Sequence, residues 1–405
     1  MSELREAFLR HLAQTSPLPI GLEIARAEGS WLYTRDGRRY LDLIAGIGVA
    51  ALGHGHPAVL EAIARQARRH LHVMVYGEYV IETQVRLAER LANLLPSGLG
   101  RVYFTNSGAE AIEGALKAAR KHTGRARSIA FDGAYHGDTL MALALMGNPA
   151  FRAPFEPLPG PVSHLPYGDI AALEAIDSTV AAVVIEPVQA EGGVRIPSVE
   201  FMRALRERCD RTGALLIFDE VLTGFGRTGR LFAMEHFGLV PDIVVLAKAL
   251  GGGLPLGAFC GSDQIIGALA DNPPLGHITT FGGHPLSCAA GLAALEVIVD
   301  ERLWEQASAI GDRLGRGLRH LVSSRLAEVR TIGALLGIEF ATAAAAQSFT
   351  HAALARGVVV NWTLNAECVV RLAPPLTMSA QEADFAIETM SAALEASRAI
   401  GKASG

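Results

Sequence analysis

Val180-Ala181-Ala182-Val183-Val184-Ile185 is apolar at every position, so a strand made from it has no face fit for water. Such a strand belongs inside a sheet covered on both sides, and sheets of that kind are usually parallel with crossover helices on their faces. Similar runs recur at residues 102–105, 128–131, 214–218, 243–246 and 257–261, separated by helix-length segments. The spacing predicts an α/β chain, with buried parallel strands forming a large domain over residues 61–290. Beyond Ala290 the pattern changes to a long helical stretch through Leu321, strand-like segments at 329–340, 357–361 and 367–372, and a closing helix from Ala383. That reads as a smaller α+β domain over 291–405, and without a polar linker the junction is expected inside a continuous helix. Residues 1–60, with Trp31-Leu32-Tyr33 and Tyr40-Leu41-Asp42-Leu43 around Asp36-Gly37, read as short strands joined by a turn and packed on the C-terminal unit.

Composition narrows the partners. The 405 residues carry 36 basic and 41 acidic side chains, a net charge of −5, which favours neither nucleic acid nor an anionic membrane. A small-molecule ligand is expected. Cys209, Cys260, Cys288 and Cys368 follow no zinc or redox spacing and read as reduced thiols of a cytoplasmic protein. Residues 1–14 are amphipathic and charged, without the apolar centre of a signal peptide, and no uninterrupted apolar stretch is long enough to span a membrane. His54-Gly55-His56 and His70-Leu71-His72 lack a Cys, Asp or Glu at ligand spacing, so no metal site is expected.

Three places can carry chemistry. Lys248 ends the apolar run Val244-Val245-Leu246-Ala247 and precedes Gly251-Gly252-Gly253. Alone, it reads either as a strand-end lysine reaching for solvent or as a desolvated amine held neutral enough to attack a carbonyl. Thr105-Asn106-Ser107-Gly108-Ala109-Glu110 leads from a strand into a helix. Ser107 and Glu110 have capping-box spacing, and the free N–H groups at Gly108 and Ala109 equally suit a phosphate. Asp219 closes a fully apolar strand, where a carboxylate points into the ligand crevice and needs a cationic partner. The Gly224-Phe225-Gly226-Arg227-Thr228-Gly229 match to a dinucleotide fingerprint is set aside, because it does not join a strand directly to a helix.

Read together, Ser107-Gly108-Ala109-Glu110-Ala111, Tyr135-His136-Gly137, Glu186-Pro187-Val188-Gln189, Asp219-Glu220-Val221, Ala247-Lys248-Ala249-Leu250-Gly251-Gly252-Gly253 and Thr279-Thr280-Phe281-Gly282-Gly283 resemble the class III (ω-amino-acid) aminotransferases. These are pyridoxal 5′-phosphate enzymes of fold type I, and the likeness spans essentially the whole chain, closest overall to the acetylornithine/ornithine group. The resemblance implies that Lys248 holds the cofactor covalently and, once released, moves the proton between donor carbon and cofactor. It implies that Asp219 pairs with the ring nitrogen, that Tyr135 and Val221 cover the two ring faces, that Glu186 lies at the Asp219 end, and that His136 is among the cofactor-binding residues. Ser107, Gly108 and Ala109 would hold the phosphate, joined by Thr280 from the other subunit of a homodimer. Arg371 matches the arginine that grips an α-carboxylate, and Glu191 the glutamate that masks it while an ω-amine donor is bound. Tyr76 and Asp138 fall near the substrate.

The expected reaction moves a terminal amine from an ω-amino acid or amine, with an acetylornithine-like donor favoured, to 2-oxoglutarate. A pyruvate-dependent ω-transaminase of amines or diamines is the alternative. A fold type I aminomutase is a further one, opposed by the Glu191 and Arg371 pair, since an isomerisation needs no external acceptor. The chain departs from the acetylornithine group in three places. Asp138 stands where that group usually has a carboxylate-binding arginine, Leu222 where it has a glutamine facing the cofactor, and His284 where it has asparagine.

Overall fold

A computed structural model describes residues 2–321 and 326–400, the last three as backbone. Seven strands form the central sheet in the order Arg101–Thr105, Gly257–Gly261, Ile243–Leu246, Leu215–Asp219, Val180–Ile185, Arg127–Phe131 and Val162–Leu165. The last five are mutually parallel. Gly257–Gly261 runs antiparallel to both its neighbours, so the sheet is mostly parallel and this one run departs from the parallel reading of the apolar segments. Direction leaves no trace in an apolar run; here residues 247–256 hold one tight turn, Lys248–Gly251, instead of a crossover helix, so the chain doubles back. The edge strand Val162–Leu165 escaped the sequence reading because it is short and half polar.

Alternation sends Val183, Phe218 and Val244 to one core and Ala182, Ile217, Val245 and Phe259 to the other. Helix Gly108–Thr123 covers the second face through Ala111, Ile112, Ala115 and Ala119, a spacing that puts them on one stripe. Ser107 caps its start, and Gly124 at φ 69° ends it in the left-handed conformation that glycine adopts most easily.

The C-terminal part differs in detail from its sequence reading. The long helical stretch is two helices, Pro285–Asp300 and Leu303–Arg319, separated at Arg302, whose φ is 50°. Segment 329–340 is a hairpin, Leu326–Ile332 and Leu335–Phe340, turning at Gly333. A Cβ on Gly333 would lie 2.2 Å from the carbonyl carbon of Thr228, so only glycine lets this turn seat on the large sheet's loop. Val369–Leu372 pairs with Leu335–Phe340 and carries Arg371. Near the N-terminus, Arg39–Asp42 takes Val358–Val359 as a parallel neighbour, so the first segment shares a sheet with the C-terminal part.

Candidate active site

A cavity of about 490 Å³ opens beside the carboxyl ends of strands Leu215–Asp219 and Ile243–Leu246, where open α/β sheets place their ligands. Ser107, Gly108 and Ala109 form one wall at the start of helix Gly108–Thr123. The Ser107 Oγ accepts the Glu110 N–H at 3.2 Å, but the Glu110 carboxylate accepts from the Asn106 N–H and side-chain amide at 3.0 and 2.8 Å. The reciprocal half of the expected capping box is therefore shifted by one residue. The N–H groups of Gly108 and Ala109 have no partner within the helix by virtue of their position. A Cβ on Gly108 would stand 3.0 Å from Val221 Cγ2 and 3.4 Å from Ala247 Cβ, so the absence of a side chain lets the helix start close against both strand ends.

Asp219 is buried in the opposite wall. Its Oδ1 accepts the Val221 N–H at 3.0 Å and its Oδ2 lies 2.7 Å from His136 Nδ1. His136 gives the buried carboxylate a polar partner within the chain, beside the ring nitrogen that the resemblance implies. Burial disfavours the charged imidazole, yet the bond to Asp219 and the charges of Asp219 and Glu186 outweigh it and hold the His136 pKa above its usual value. Glu186 accepts the N–H groups of Tyr135 and Ala190 at 3.0 and 3.1 Å, and burial raises its pKa to about 7.

Lys248 opens its tight turn with φ at 49°, a strained conformation for a residue with a side chain. Its ammonium pKa is pushed down by burial and by the charge of Arg371, against the opposing pull of Asp219, Glu191 and Glu186. The amine therefore lines the cavity in a poorly solvated setting instead of reaching outward. Gly48, at φ 76°, stands over it: a Cβ there would meet Leu222 Cδ1 at 2.4 Å and Lys248 Cδ at 3.9 Å. Leu222 thus puts an apolar surface beside the lysine in place of an amide.

Tyr135 and Val221 are both on the wall, and the Tyr135 hydroxyl donates to Asp138 Oδ2 at 2.7 Å. Burial, then that bond, keeps the phenol strongly protonated. Arg371, 1% exposed, makes a hydrogen-bonded ion pair with Glu191, whose other oxygen accepts the Leu364 N–H at 3.0 Å. Arg227 is buried nearby and donates to the backbone carbonyls of Ala334 and Pro374; burial and the charge of Arg371 lower its pKa to about 9. It lies in the glycine-rich segment set aside above, which has no helix directly behind it.

Two expected residues lie elsewhere in the single chain. Tyr76 lines a separate cavity with Tyr79, Val80 and Thr279, and Thr280 is exposed. His284 caps helix Pro285–Asp300, accepting the Leu286 N–H at 3.3 Å, and stacks on His72 with ring centroids 5.4 Å apart. His284 therefore caps the helix start itself.

The donor set suits pyridoxal 5′-phosphate: a helix N-terminus for the phosphate, a buried carboxylate for the ring nitrogen, and an amine with a depressed pKa for the aldehyde. Comparison with known proteins points the same way. Residues 13–394 match the family model described as aminotransferase class-III. The acetylornithine aminotransferase of Methanopyrus kandleri is 44% identical over 388 residues, 96% of this chain and 97% of that protein. That of Streptomyces coelicolor is 47% identical over 360 residues, 88% of this chain and 87% of its own. Among solved structures, the ornithine aminotransferase of Toxoplasma gondii superposes with a TM-score of 0.91 at 30% identity, covering 98% of this chain and 95% of that one. An (S)-enantioselective ω-transaminase from Thermomicrobium roseum gives 0.90 at 34% identity, covering 97% of each chain. With its mostly parallel sheet and its cavity at the strand ends, the chain belongs to the class III aminotransferases, pyridoxal-phosphate-dependent enzymes of fold type I.

Proposed function

We propose that the protein transfers the terminal amine of an ω-amino acid or amine, with an acetylornithine-like compound as donor, to 2-oxoglutarate, giving glutamate. The observation that carries this reading is the Glu191–Arg371 pair at the cavity that also holds Lys248. A buried arginine masked by a movable carboxylate gives one pocket two states. While Glu191 neutralises Arg371, the inner pocket accepts an amine that has no carboxylate next to it. When Glu191 turns away, the planar guanidinium grips the carboxylate of a 2-oxo acid in bidentate fashion.

When bound, pyridoxal phosphate supplies an aldehyde that takes up the donor's amino group and a ring that accepts the electron pair left on the donor carbon. With the cofactor bound, Lys248 would be the base that takes the proton from the donor carbon and the acid that gives it back. Burial and the charge of Arg371 lower its pKa, which favours the neutral amine that this task needs. Asp219, oriented by His136, holds the proton on the ring nitrogen, and Glu186 fixes the Tyr135 segment behind it. Tyr135 and Val221 bracket the ring, and Ser107, Gly108 and Ala109 bind the phosphate. The donor would leave as a carbonyl compound, its oxygen supplied by water, and the 2-oxo acid would take up the amine in a second half-reaction.

We place the enzyme in the cytoplasm as a homodimer in which Thr280 reaches the neighbouring site. Leu71, Tyr79, Val80, Ile278 and Phe281 are exposed around that loop, which supports an interface there. No helix among the described residues is long and apolar enough to cross a membrane.

The test is the visible spectrum of the cofactor-loaded protein. L-Glutamate and N-acetylornithine are each expected to convert it to the aminated form, with no conversion in the Lys248→Ala variant. Conversion by L-alanine and not by glutamate would replace 2-oxoglutarate by pyruvate as acceptor. Normal turnover by Lys248→Ala would remove the assignment of the lysine.

A further inference from the structure

Four acids stand on the cavity wall, Asp138, Glu186, Glu191 and Asp219, together with Lys248 and the His136 imidazole. Three of these are engaged within the protein: Asp219 by His136, Glu191 by Arg371, and Glu186 by the N–H groups of Tyr135 and Ala190. Asp138 differs. It is exposed at the open side, accepts only the neutral Tyr135 hydroxyl among the hydrogen bonds found, and forms no ion pair among the described residues.

Its backbone is nonetheless held firmly. Gly137 has a φ of 117°, and a Cβ there would lie 2.5 Å from Ala109 Cβ, so the segment is seated against the helix start. On the other side, the Thr139 hydroxyl and the Met141 N–H donate to Glu113 at 2.7 and 3.2 Å. An unpaired carboxylate on a fixed stretch of backbone, at the mouth of a cavity already lined with acids, attracts a cation and repels an anion.

We infer that Asp138 selects the far end of the amino donor, favouring a second positive charge there, so that diamines and related ω-amines with a cationic distal group are the preferred donor class. This rests on the aminotransferase reading above and refines it. The acetylornithine-like donor named above carries a carboxylate at its distal end; it still reacts, through the same lysine and cofactor, but more slowly than a diamine of equal length.

Holoenzyme is mixed with 1,5-diaminopentane, pentylamine or 5-aminopentanoate, and conversion of the cofactor spectrum is followed, with L-glutamate as control. The diamine should exceed pentylamine in kcat/KM by about tenfold, 5-aminopentanoate should be slowest, and added salt should compress the spread. Asp138→Asn should bring the diamine-to-pentylamine ratio near one, and Asp138→Arg should invert the order towards 5-aminopentanoate. The ratio is informative because a general loss through a misplaced Tyr135 lowers all three donors alike. Calorimetry with the tertiary-amine analogues, which bind without reacting, should give the same order of affinity.

A wild-type preference for 5-aminopentanoate, or an unchanged ratio in Asp138→Asn, would overturn the inference while leaving the aminotransferase reading intact. Failure of L-glutamate and of every amine to convert the spectrum would overturn both.

Discussion

Burying carboxylic acids beside an amine gives individual residues of this protein a pH dependence that can be stated with its sign. Glu220 is buried beneath the cavity floor, accepting the N–H groups of Ala233 and Met234 at 2.7 and 2.8 Å and the Thr223 hydroxyl at 2.9 Å. Burial nevertheless raises its pKa from 4.5 to about 7, with the charge of Glu235 adding to the rise. Glu186 shifts by burial to a similar value, lowered in part by His136 and raised by Asp219. A folded-state pKa above the unfolded one means that the group's stabilising contribution is full below about 4.5 and lost as pH rises through about 7. His136, raised above its usual value, has the same sign. Each glutamate is worth roughly 3 kcal/mol on this scale. Urea unfolding of the cofactor-free protein should therefore show stability falling between about pH 4.5 and about pH 7. Glu220→Gln should be less stable at the lower pH, because its amide nitrogen meets an N–H donor, and should have a shallower decline. An undiminished decline in that variant would rule out Glu220 as a source.

At the scale of elements, the cofactor cradle depends on how closely strand Gly257–Gly261 approaches the start of helix Gly108–Thr123. A Cβ on Gly257 would lie 2.2 Å from the Ser107 carbonyl oxygen and 2.5 Å from Thr105 Oγ1. Gly257→Ala must displace the backbone that presents Ser107, Gly108 and Ala109. Overpacking of this kind costs about 1–3 kcal/mol, so cofactor affinity in a fluorescence titration should fall about tenfold or more. Wild-type affinity in this variant would show that the phosphate does not depend on that junction. The strand itself was legible, because its apolar run reports burial; its antiparallel direction was not, because burial is blind to direction. Likewise Lys248, Asp219 and Ser107 could be picked out where chemistry interrupts an apolar pattern or begins a helix. The engagement of Asp219 by His136, of Glu191 by Leu364, and of Arg227 by Ala334 and Pro374 joins residues remote in sequence, and local spacing carries no record of such meetings.

For the whole molecule, the single chain leaves apolar side chains outside. Val80 is 94% exposed, and Phe281 lies with its ring centroid 4.8 Å from that of His72, so the segments around residues 70–81 and 271–284 form one neighbouring surface. In the proposed dimer this surface is covered. Wild-type protein should sediment at twice its 42.8 kDa chain mass, while Val80→Arg should shift towards the monomer and bind cofactor more weakly as Thr280 is withdrawn. A wild-type monomer with full cofactor affinity would refute the arrangement. A different connection runs through the interior of each chain. The Asn365 side-chain amide donates to the Gly133 and Ala134 carbonyls at 3.1 and 2.9 Å, just before Tyr135, while the Asn365 and Leu364 N–H groups hold Glu191. This short loop fastens the carboxylate that masks Arg371 to the segment that carries Asp138. Displacing Glu191 therefore pulls on the same loop that positions Tyr135. The masking of Arg371 and the placing of Tyr135 are thus joined through one asparagine side chain and its backbone.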